Sequence, residues 1–270
     1  MQILVNRGFF QEVRPAACVE EHEVELTVDG RLRAVLPCLG DSLAEMVYGY
    51  LYRERTIQRV EDVVAFDVGP RPCCISVGLL SEHGARRLAR RCRPLLGAGG
   101  GIAHPASARV SPEAIVVEKR AFSQEEVSCG IRRLKRIDAS RSHAKGLCQC
   151  GVAFQGEVVL RYEDACPLPA FDKLCGACLL KNRSISGGAV LTTGPICRSM
   201  VEAAARLGAD LVGSCGAPTR QAVEAARRLG IVLAGNVDDV SMRVFSGEDR
   251  VVRKGRSLSD GEVAALFYSV

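Results

Sequence analysis

Short apolar segments alternate with Ala-rich amphipathic segments over residues 189–234, and this is the most regular pattern in the chain. Residues 201–208 and 223–230 are near-copies of each other, each ending in a glycine and followed by a short apolar run. Another apolar run, at residues 190–192, precedes the first copy. Short apolar strands that alternate with helices are typical of a parallel sheet with right-handed crossovers. The pattern therefore predicts one right-handed βαβαβ unit.

The amino-terminal part of the chain shows the two-residue alternation of β-strands. Residues 22–28 and 31–36 alternate polar and apolar side chains on either side of Asp29-Gly30, which predicts a β-hairpin. The elements predicted after the hairpin are a helix with Asp41 as its N-cap, strands at residues 60–68 and 73–79, and a basic helix at residues 81–92.

The middle of the chain combines a Gly-rich segment with elements of both kinds. Residues 95–106 are rich in Gly, Ala and Pro and predict a loop or linker. The elements predicted after it are a helix at residues 123–137, a hairpin of strands at residues 147–154 and 157–162, and a helix at residues 171–180. We therefore expect an α/β chain, α+β overall. Residues 1–106 would form a β-rich part with two helices and a Gly-rich loop, and residues 107–270 an α/β domain.

The composition excludes several classes of protein. With 47% hydrophobic and 25% charged residues, the 270-residue chain matches an ordinary globular protein and not a disordered one. A net charge of +5 is too small to indicate a nucleic-acid binder. No apolar run reaches the ~18 residues of a membrane span, and the first residues have no secretory pattern. We expect a cytoplasmic protein that contacts neither nucleic acid nor membrane.

Thirteen cysteines are many for a chain in a reducing compartment, and several lie close together in the sequence. Cys148 and Cys150 come from the predicted hairpin, and Cys175 and Cys178 lie one turn apart on the predicted helix. Four such thiolates could hold zinc or an iron–sulfur cluster. Two alternatives remain open: the thiols are buried small side chains, or they carry out redox chemistry or sulfur transfer.

The loops after the strands of the predicted βαβαβ unit are the candidate ligand site. Open α/β sheets bind ligands at the carboxyl ends of their strands, and here those ends lead through residues 192–195 and 213–219 into helix N-termini, which favour phosphate. The candidate contacts are Thr193, Gly194, Ser214, Ala217 and Thr219, with His143, Asp164, Asp172 and Lys173 as further polar candidates. The alternative is that the Gly-Pro and Ala-Pro pairs only start the two helices and that the charged residues are ordinary surface groups.

Taken in order, these segments resemble the formate dehydrogenase accessory sulfurtransferase (sulfur carrier) family. The resemblance rests on the strand and turn at residues 23–30, the run at residues 39–52, the His143 loop, Tyr162-Glu163-Asp164 with Asp172-Lys173, the turns Thr193-Gly194 and Ala217-Pro218-Thr219, and Val244-Phe245.

This resemblance implies a cytidine-deaminase-like α/β/α core, usually in a homodimer. It further implies that the protein binds molybdopterin guanine dinucleotide, the guanine dinucleotide form of molybdenum cofactor. Sulfur would pass to this cofactor from a cysteine desulfurase during the maturation of formate dehydrogenase.

The chain departs from the family where the family has its sulfur-carrying Cys-x-x-Cys motif. Residues 95–101 contain no cysteine, and Gly97 and Gly100 occupy the two places. Since sulfur transfer needs a reactive thiolate, either another cysteine has taken over, or the chain has a different task. The candidates are Cys92, Cys175 and Cys178. An ordinary small-molecule enzyme on this scaffold is a further alternative, although no acid–base pair or nucleophile is evident.

Overall fold

The computed structural model describes residues 2–7, 10–15, 18–69, 74–80, 120–136 and 147–252. The strands are β1 Gln2–Arg7, β2 Phe10–Pro15, β3 His22–Val28, β4 Arg31–Cys38, β5 Val63–Val68, β6 Cys74–Leu79, β7 Phe122–Ser123, β8 Cys148–Phe154, β9 Glu157–Asp164, β10 Ala189–Thr192, β11 Leu211–Ser214, β12 Val232–Gly235, β13 Arg243–Ser246 and β14 Val251–Val252. The helices are α1 Leu43–Arg53, α2 Gln124–Lys135, α3 Pro167–Leu180, α4 Arg198–Arg206 and α5 Arg220–Leu229, with short 3-10 turns at Val60–Asp62 and Glu248–Arg250. In these ranges no helix is long and apolar enough to cross a membrane.

The predicted βαβαβ unit forms the middle of a six-stranded sheet with the order β13-β12-β11-β10-β8-β9. Strands β10, β11 and β12 are parallel neighbours, and α4 and α5 connect them in the predicted order. The outer strands β8, β9 and β13 run antiparallel to their neighbours. The parallel strands are buried on both faces, as their continuous apolar sequences require.

Helices cover both faces of this sheet. Leu191 of β10 packs with Ile131 of α2 on one face, whereas Val190 belongs to the core formed with α3, α4 and α5 on the other face. Neighbouring strand residues point to opposite faces, so one apolar strand supplies both cores. The predicted α/β fold class is confirmed.

In the amino-terminal part of the described chain, a separate two-stranded sheet of β1 and β2 is followed in sequence by a four-stranded sheet with the order β4-β3-β6-β5. The predicted hairpin joins β3 to β4, and its turn residues Asp29 and Gly30 both have positive φ angles, as a two-residue hairpin turn requires. Val24 and Leu26 are buried on the inner face, and Glu23 and Glu25 are exposed on the other. The hairpin of β8 and β9 around Gln155-Gly156 is confirmed in the same way.

The predicted N-cap of α1 is wrong. The N-cap of α1 is Ser42 and not Asp41, because the Asp41 carboxylate pairs with Lys173 instead. Pro195 and Pro218 precede α4 and α5 by two or three residues, and Pro218 forms an isolated parallel bridge with Ile196. The basic helix at residues 81–92, the Gly-rich segment at 95–106 and the proposed domain boundary lie outside the described residues.

Helices α1 and α3 cross at backbone contact, which joins the amino-terminal part to the six-stranded sheet. A Cβ atom on Gly49 would lie 1.7 Å from the backbone oxygen of Asp172, and one on Gly176 would lie 1.8 Å from that of Glu45. Only glycine at both positions allows this approach. Beside the crossing, Arg53 Nε and Nη2 donate to the two carboxylate oxygens of Asp172 over 2.7 and 3.1 Å.

The substitution Gly49→Ala is expected to destabilise the protein by about 3 kcal/mol, because its methyl group meets backbone that cannot move aside. Gly130→Ala in α2 is the matched control, since its nearest obstacle is the end of the flexible Leu191 side chain. Urea unfolding of both variants measures the difference. Equal free energies of unfolding for the two variants would contradict the role of the crossing.

Glu202 of α4 connects three segments through arginines. Its carboxylate accepts from Arg55 over 2.9 Å, from Arg198 over 2.8 Å and from Arg228 of α5 over 2.8 Å. Partial burial opposes ionisation, but the hydrogen bonds and charges of the arginines lower the pKa of Glu202 below its ordinary value of 4.5. This carboxylate therefore stabilises the fold when it is ionised.

The substitution Glu202→Gln is expected to cost about 1 kcal/mol near neutral pH, a modest value because solvent screens the exposed arginines. A lowered folded-state pKa gives stability that is present above the ordinary carboxyl pKa and is lost as the pH falls through the folded value. The difference between wild type and variant should therefore shrink below about pH 4. Urea unfolding of both proteins across this pH range measures the difference. A difference in free energy of unfolding that does not change with pH would contradict the role of the ionised Glu202.

Candidate functional site

The turns after β10 and β11 lie against each other at the end of the six-stranded sheet where its parallel strands have their carboxyl termini. We call this end the sheet edge. The Ser214 hydroxyl donates to the backbone oxygen of Gly194 over 2.5 Å and accepts from the backbone N–H of Gly216 over 2.8 Å. Gly216 faces the backbone of Gly194 so closely that a Cβ atom would lie 3.4 Å from it. These contacts place the starts of α4 and α5 next to each other.

A third strand reaches the same edge through Thr193. The backbone N–H of Gln149 donates to the Thr193 hydroxyl over 2.9 Å, and the backbone N–H of Thr193 donates to the Gln149 carbonyl over 2.9 Å. Because β8 runs antiparallel to β10, its first residue, Cys148, lies at this edge. The turn at Thr193-Gly194 is therefore the centre of the site.

The fold brings the predicted ligand contacts in these turns close to one another. Most of their polar atoms form hydrogen bonds that stabilise the turns themselves. Ser214 is completely buried, and the Thr219 hydroxyl accepts from the backbone N–H of Ala222 as the N-cap of α5. Ala217 is exposed between them. Direct contact of Thr193, Ser214 and Thr219 with a ligand stays a prediction, whereas their role in shaping the turns is visible.

Lys173 and Asp164 form a buried ion pair beside these turns. Both side chains are completely shielded, and Lys173 Nζ lies 2.7 Å from a carboxylate oxygen of Asp164. The same ammonium group donates to Asp41 and, over 3.3 Å, to the backbone oxygen of Glu163. Burial acts to lower the pKa of Lys173, but its hydrogen bonds to the two carboxylates raise it above the ordinary value. Lys173 is therefore a permanent buried cation.

Asp172 is adjacent to Lys173 in sequence but faces α1. Consecutive residues of a helix point in directions about 100° apart, and the Asp172 carboxylate is engaged with Arg53 at the helix crossing. Burial raises the pKa of Asp172 to about 6, although Arg53 opposes this shift. Of the three charged candidates predicted from the sequence, Asp164 and Lys173 form a pair, and Asp172 does not contact them.

The four cysteines of the predicted metal site are divided by burial. Cys175 and Cys178 of α3 and Cys150 of β8 are buried, while Cys148 is half-buried at the sheet edge. Burial raises the pKa of all three buried thiols, that of Cys178 to about 11, so they stay protonated at neutral pH. In the described ranges no three His, Cys, Asp or Glu side chains are grouped to hold a metal ion, so the predicted zinc or iron–sulfur site does not form there.

Three residues of the candidate site were not predicted from the sequence: Asp41, Cys166 and Cys215. Cys166 is the N-cap of α3 and is exposed, and the thiol of Cys215 donates to the backbone oxygen of Thr193 over 3.3 Å. Cys215 directly follows the end of β11 and Cys166 comes two residues after the end of β9, and this position after a strand was the available sequence signal. No sequence signal pointed to Asp41, because its partner Lys173 lies 132 positions away in the sequence. The predicted candidates Cys92 and His143 lie outside the described residues.

Comparison with known proteins identifies similar chains. Residues 19–252 match the model of the FdhD/NarQ family. The Sulfur carrier protein FdhD of Shouchella clausii is 26% identical over 239 residues, which cover 87% of this chain and 89% of that one. The Sulfur carrier protein FdhD of Cupriavidus necator is 29% identical over 210 residues, or 76% of this chain and 73% of that one.

A solved structure shares the fold. The crystal structure of a protein described as a formate dehydrogenase accessory protein, from Desulfotalea psychrophila, superimposes with a TM-score of 0.68. The match covers 93% of this chain and 98% of the other at 21% sequence identity, which supports the common fold alone.

The substitution Lys173→Met is expected to destabilise the protein by about 3–5 kcal/mol, because it leaves the buried Asp164 carboxylate without its cation. Adding Asp164→Asn should restore part of that stability, since the uncompensated charge is then removed. Arg220→Met is the control, because the Arg220–Glu224 pair is largely exposed and should cost less than about 1 kcal/mol. Urea unfolding measures all three, and a double variant less stable than Lys173→Met would contradict the pairing.

Proposed function

Because the chain belongs to the FdhD/NarQ family, we propose that it acts as a sulfur carrier and accessory protein in the maturation of formate dehydrogenase. The family match spans most of the chain, and two relatives of comparable length carry the name sulfur carrier protein. Its partners in this role are a cysteine desulfurase, which supplies sulfur, and the formate dehydrogenase that receives the finished cofactor. The working form is a homodimer.

The molecule that receives sulfur is molybdopterin guanine dinucleotide, bound at the edge formed by the turns after β10 and β11. The observation that carries this proposal is the pair of hydrogen bonds from Ser214 to Gly194 and from Gly216 to Ser214. They fix two helix N-termini side by side, and such termini favour the phosphate groups of a dinucleotide because of their N–H groups and dipoles.

The surroundings of the turns fit a polar ligand that carries a base. The buried Lys173 cation is paired with both Asp164 and Asp41, and Asp41 still has a mostly exposed side chain. Carboxylates of this kind can accept hydrogen bonds from the N–H groups of a guanine edge. Three thiols, those of Cys148, Cys166 and Cys215, lie within the same region, which suits a site where sulfur is handed over.

Guanine nucleotides are expected to stabilise the protein in a thermal-shift measurement. GDP at a hundredfold excess over its dissociation constant should add about 2.7 kcal/mol to the free energy of unfolding, because it binds the folded state alone. ADP at the same concentration tests whether the base is recognised, and it should add less to the free energy of unfolding than GDP. The absence of stabilisation by GDP, GTP and molybdopterin guanine dinucleotide would contradict the binding part of the proposal.

The substitution Ala217→Asp should abolish this stabilisation by placing a negative charge on an exposed turn position where phosphate is expected. Ser186→Asp is the matched control, because Ser186 is also exposed but precedes β10 at the opposite edge of the sheet. Both variants should unfold at the same urea concentration as the wild type. Retained GDP binding in Ala217→Asp would place the nucleotide elsewhere.

A further inference from the structure

Three cysteines lie at the turn Thr193-Gly194 or next in sequence to a residue that contacts it. The Cys215 thiol donates to the Thr193 carbonyl over 3.3 Å. Cys148 directly precedes Gln149, whose backbone exchanges two hydrogen bonds of 2.9 Å with Thr193. We call Cys148, Cys166 and Cys215 the edge thiols.

Cys166 reaches the same turn through its neighbour in sequence. Pro167 packs against Gly194 so closely that a Cβ atom on this glycine would lie 2.5 Å from the proline ring. Strand pairing also connects two of the edge thiols, because Cys148 lies opposite Asp164, two residues before Cys166. The three residues come from β8, from the N-cap of α3 and from the turn after β11, so only the tertiary fold brings them together.

The edge thiols differ from the buried cysteines in accessibility. Cys166 is exposed, and Cys148 and Cys215 are half-buried, whereas Cys150 and Cys175 are shielded completely. A persulfide on another protein or on a small thiol can therefore reach Cys166. Besides burial, the charges of Cys166 and Cys215 raise the pKa of Cys148, so Cys148 lies close to both of the other edge thiols.

We infer that Cys166 is the residue that accepts sulfane sulfur in this chain and that Cys148 and Cys215 can receive it in turn, an inference that rests on the sulfur-carrier function proposed above. The Cys166 thiolate attacks the terminal sulfur of a donor persulfide, R–S–SH. The S–S bond of the donor breaks, Cys166–S–SH forms, and the donor leaves as R–S⁻. The same exchange moves the sulfur to a second edge thiol, and neither step needs an oxidant or a reductant.

The charges around Cys166 regulate this step. Helix α3 starts directly after Cys166, and the positive end of its dipole favours the thiolate. Burial together with the negative charges of Glu21, before β3, and of Asp164, at the end of β9, nevertheless raises the pKa of Cys166. The thiol is therefore mostly protonated at neutral pH, and sulfur loading should accelerate as the pH rises toward its pKa. Removing the Glu21 charge should also accelerate it.

The test uses the full-length chain and glutathione persulfide as the sulfur donor. After loading, remaining thiols are alkylated, and peptide mass spectrometry locates the added sulfur atom. The expected result is added sulfur on the Cys166 peptide, with loading reduced by about tenfold or more in Cys166→Ser because the accepting thiolate is gone. Cys129→Ser, which removes a half-buried thiol from α2, should load like the wild type.

Loss of loading in Cys166→Ser would not reflect unfolding, because serine is a favourable N-cap residue and should leave α3 intact. The urea midpoint of this variant and its stabilisation by GDP are measured in parallel. Glu21→Gln should load faster than the wild type, and a slower or unchanged rate would overturn the electrostatic control.

Two outcomes separate this inference from the proposed function. Sulfur found on Cys92 in place of the edge thiols would overturn the inference and leave the sulfur-carrier function standing. A wild-type chain that takes up no sulfur, although its thiols can be alkylated, would overturn both. GDP binding is measured independently, so its failure would affect the cofactor site and not the assignment of Cys166.

Discussion

The backbone contact between α1 and α3 is the constraint on which the rest of the structure depends. Gly49 and Gly176 remove the side chains that would keep the two helices apart, and the helices meet at van der Waals distance. This approach fixes the amino-terminal sheet on the α/β layers. The Arg53–Asp172 pair can form only because the helices cross here, and it is buried so deeply that neither charge could be tolerated without the other.

The same crossing determines the composition of the candidate site. Asp41 precedes α1 and Lys173 lies on α3, so their contact depends on the distance between these helices. Lys173 in turn neutralises Asp164 at the end of β9. A small change in the position of α1 would therefore reach the sheet edge through two ion pairs. The charged residues of the candidate site are thus also residues that hold the two parts of the molecule together.

Burial assigns different properties to cysteines that look alike in the sequence. Between α3 and the sheet the low dielectric of the interior raises the thiol pKa, so Cys150 and Cys175 behave as small apolar side chains. At the sheet edge the thiols keep access to solvent and lie beside a turn that also positions two helix N-termini. This difference separates the thiols that solvent reaches from those that the fold shields.

The sequence by itself determined the local elements, the α/β class, the βαβαβ order and the edge at which Thr193, Gly194 and Ser214 meet, because these follow from periodicities of two and 3.6 residues and from turn chemistry. The family resemblance was also readable from the order of its motifs. Only the tertiary structure decided which charges pair, since Lys173 and Asp172 are neighbours in sequence but contact Asp164 and Arg53, respectively. It also divided the predicted four-thiolate group, because Cys148 is half-buried at the sheet edge while the other three cysteines are buried. Cys166 and Cys215 became site residues for the same reason: contacts between distant segments and the water they exclude are properties of the packed chain and are not encoded in local spacing.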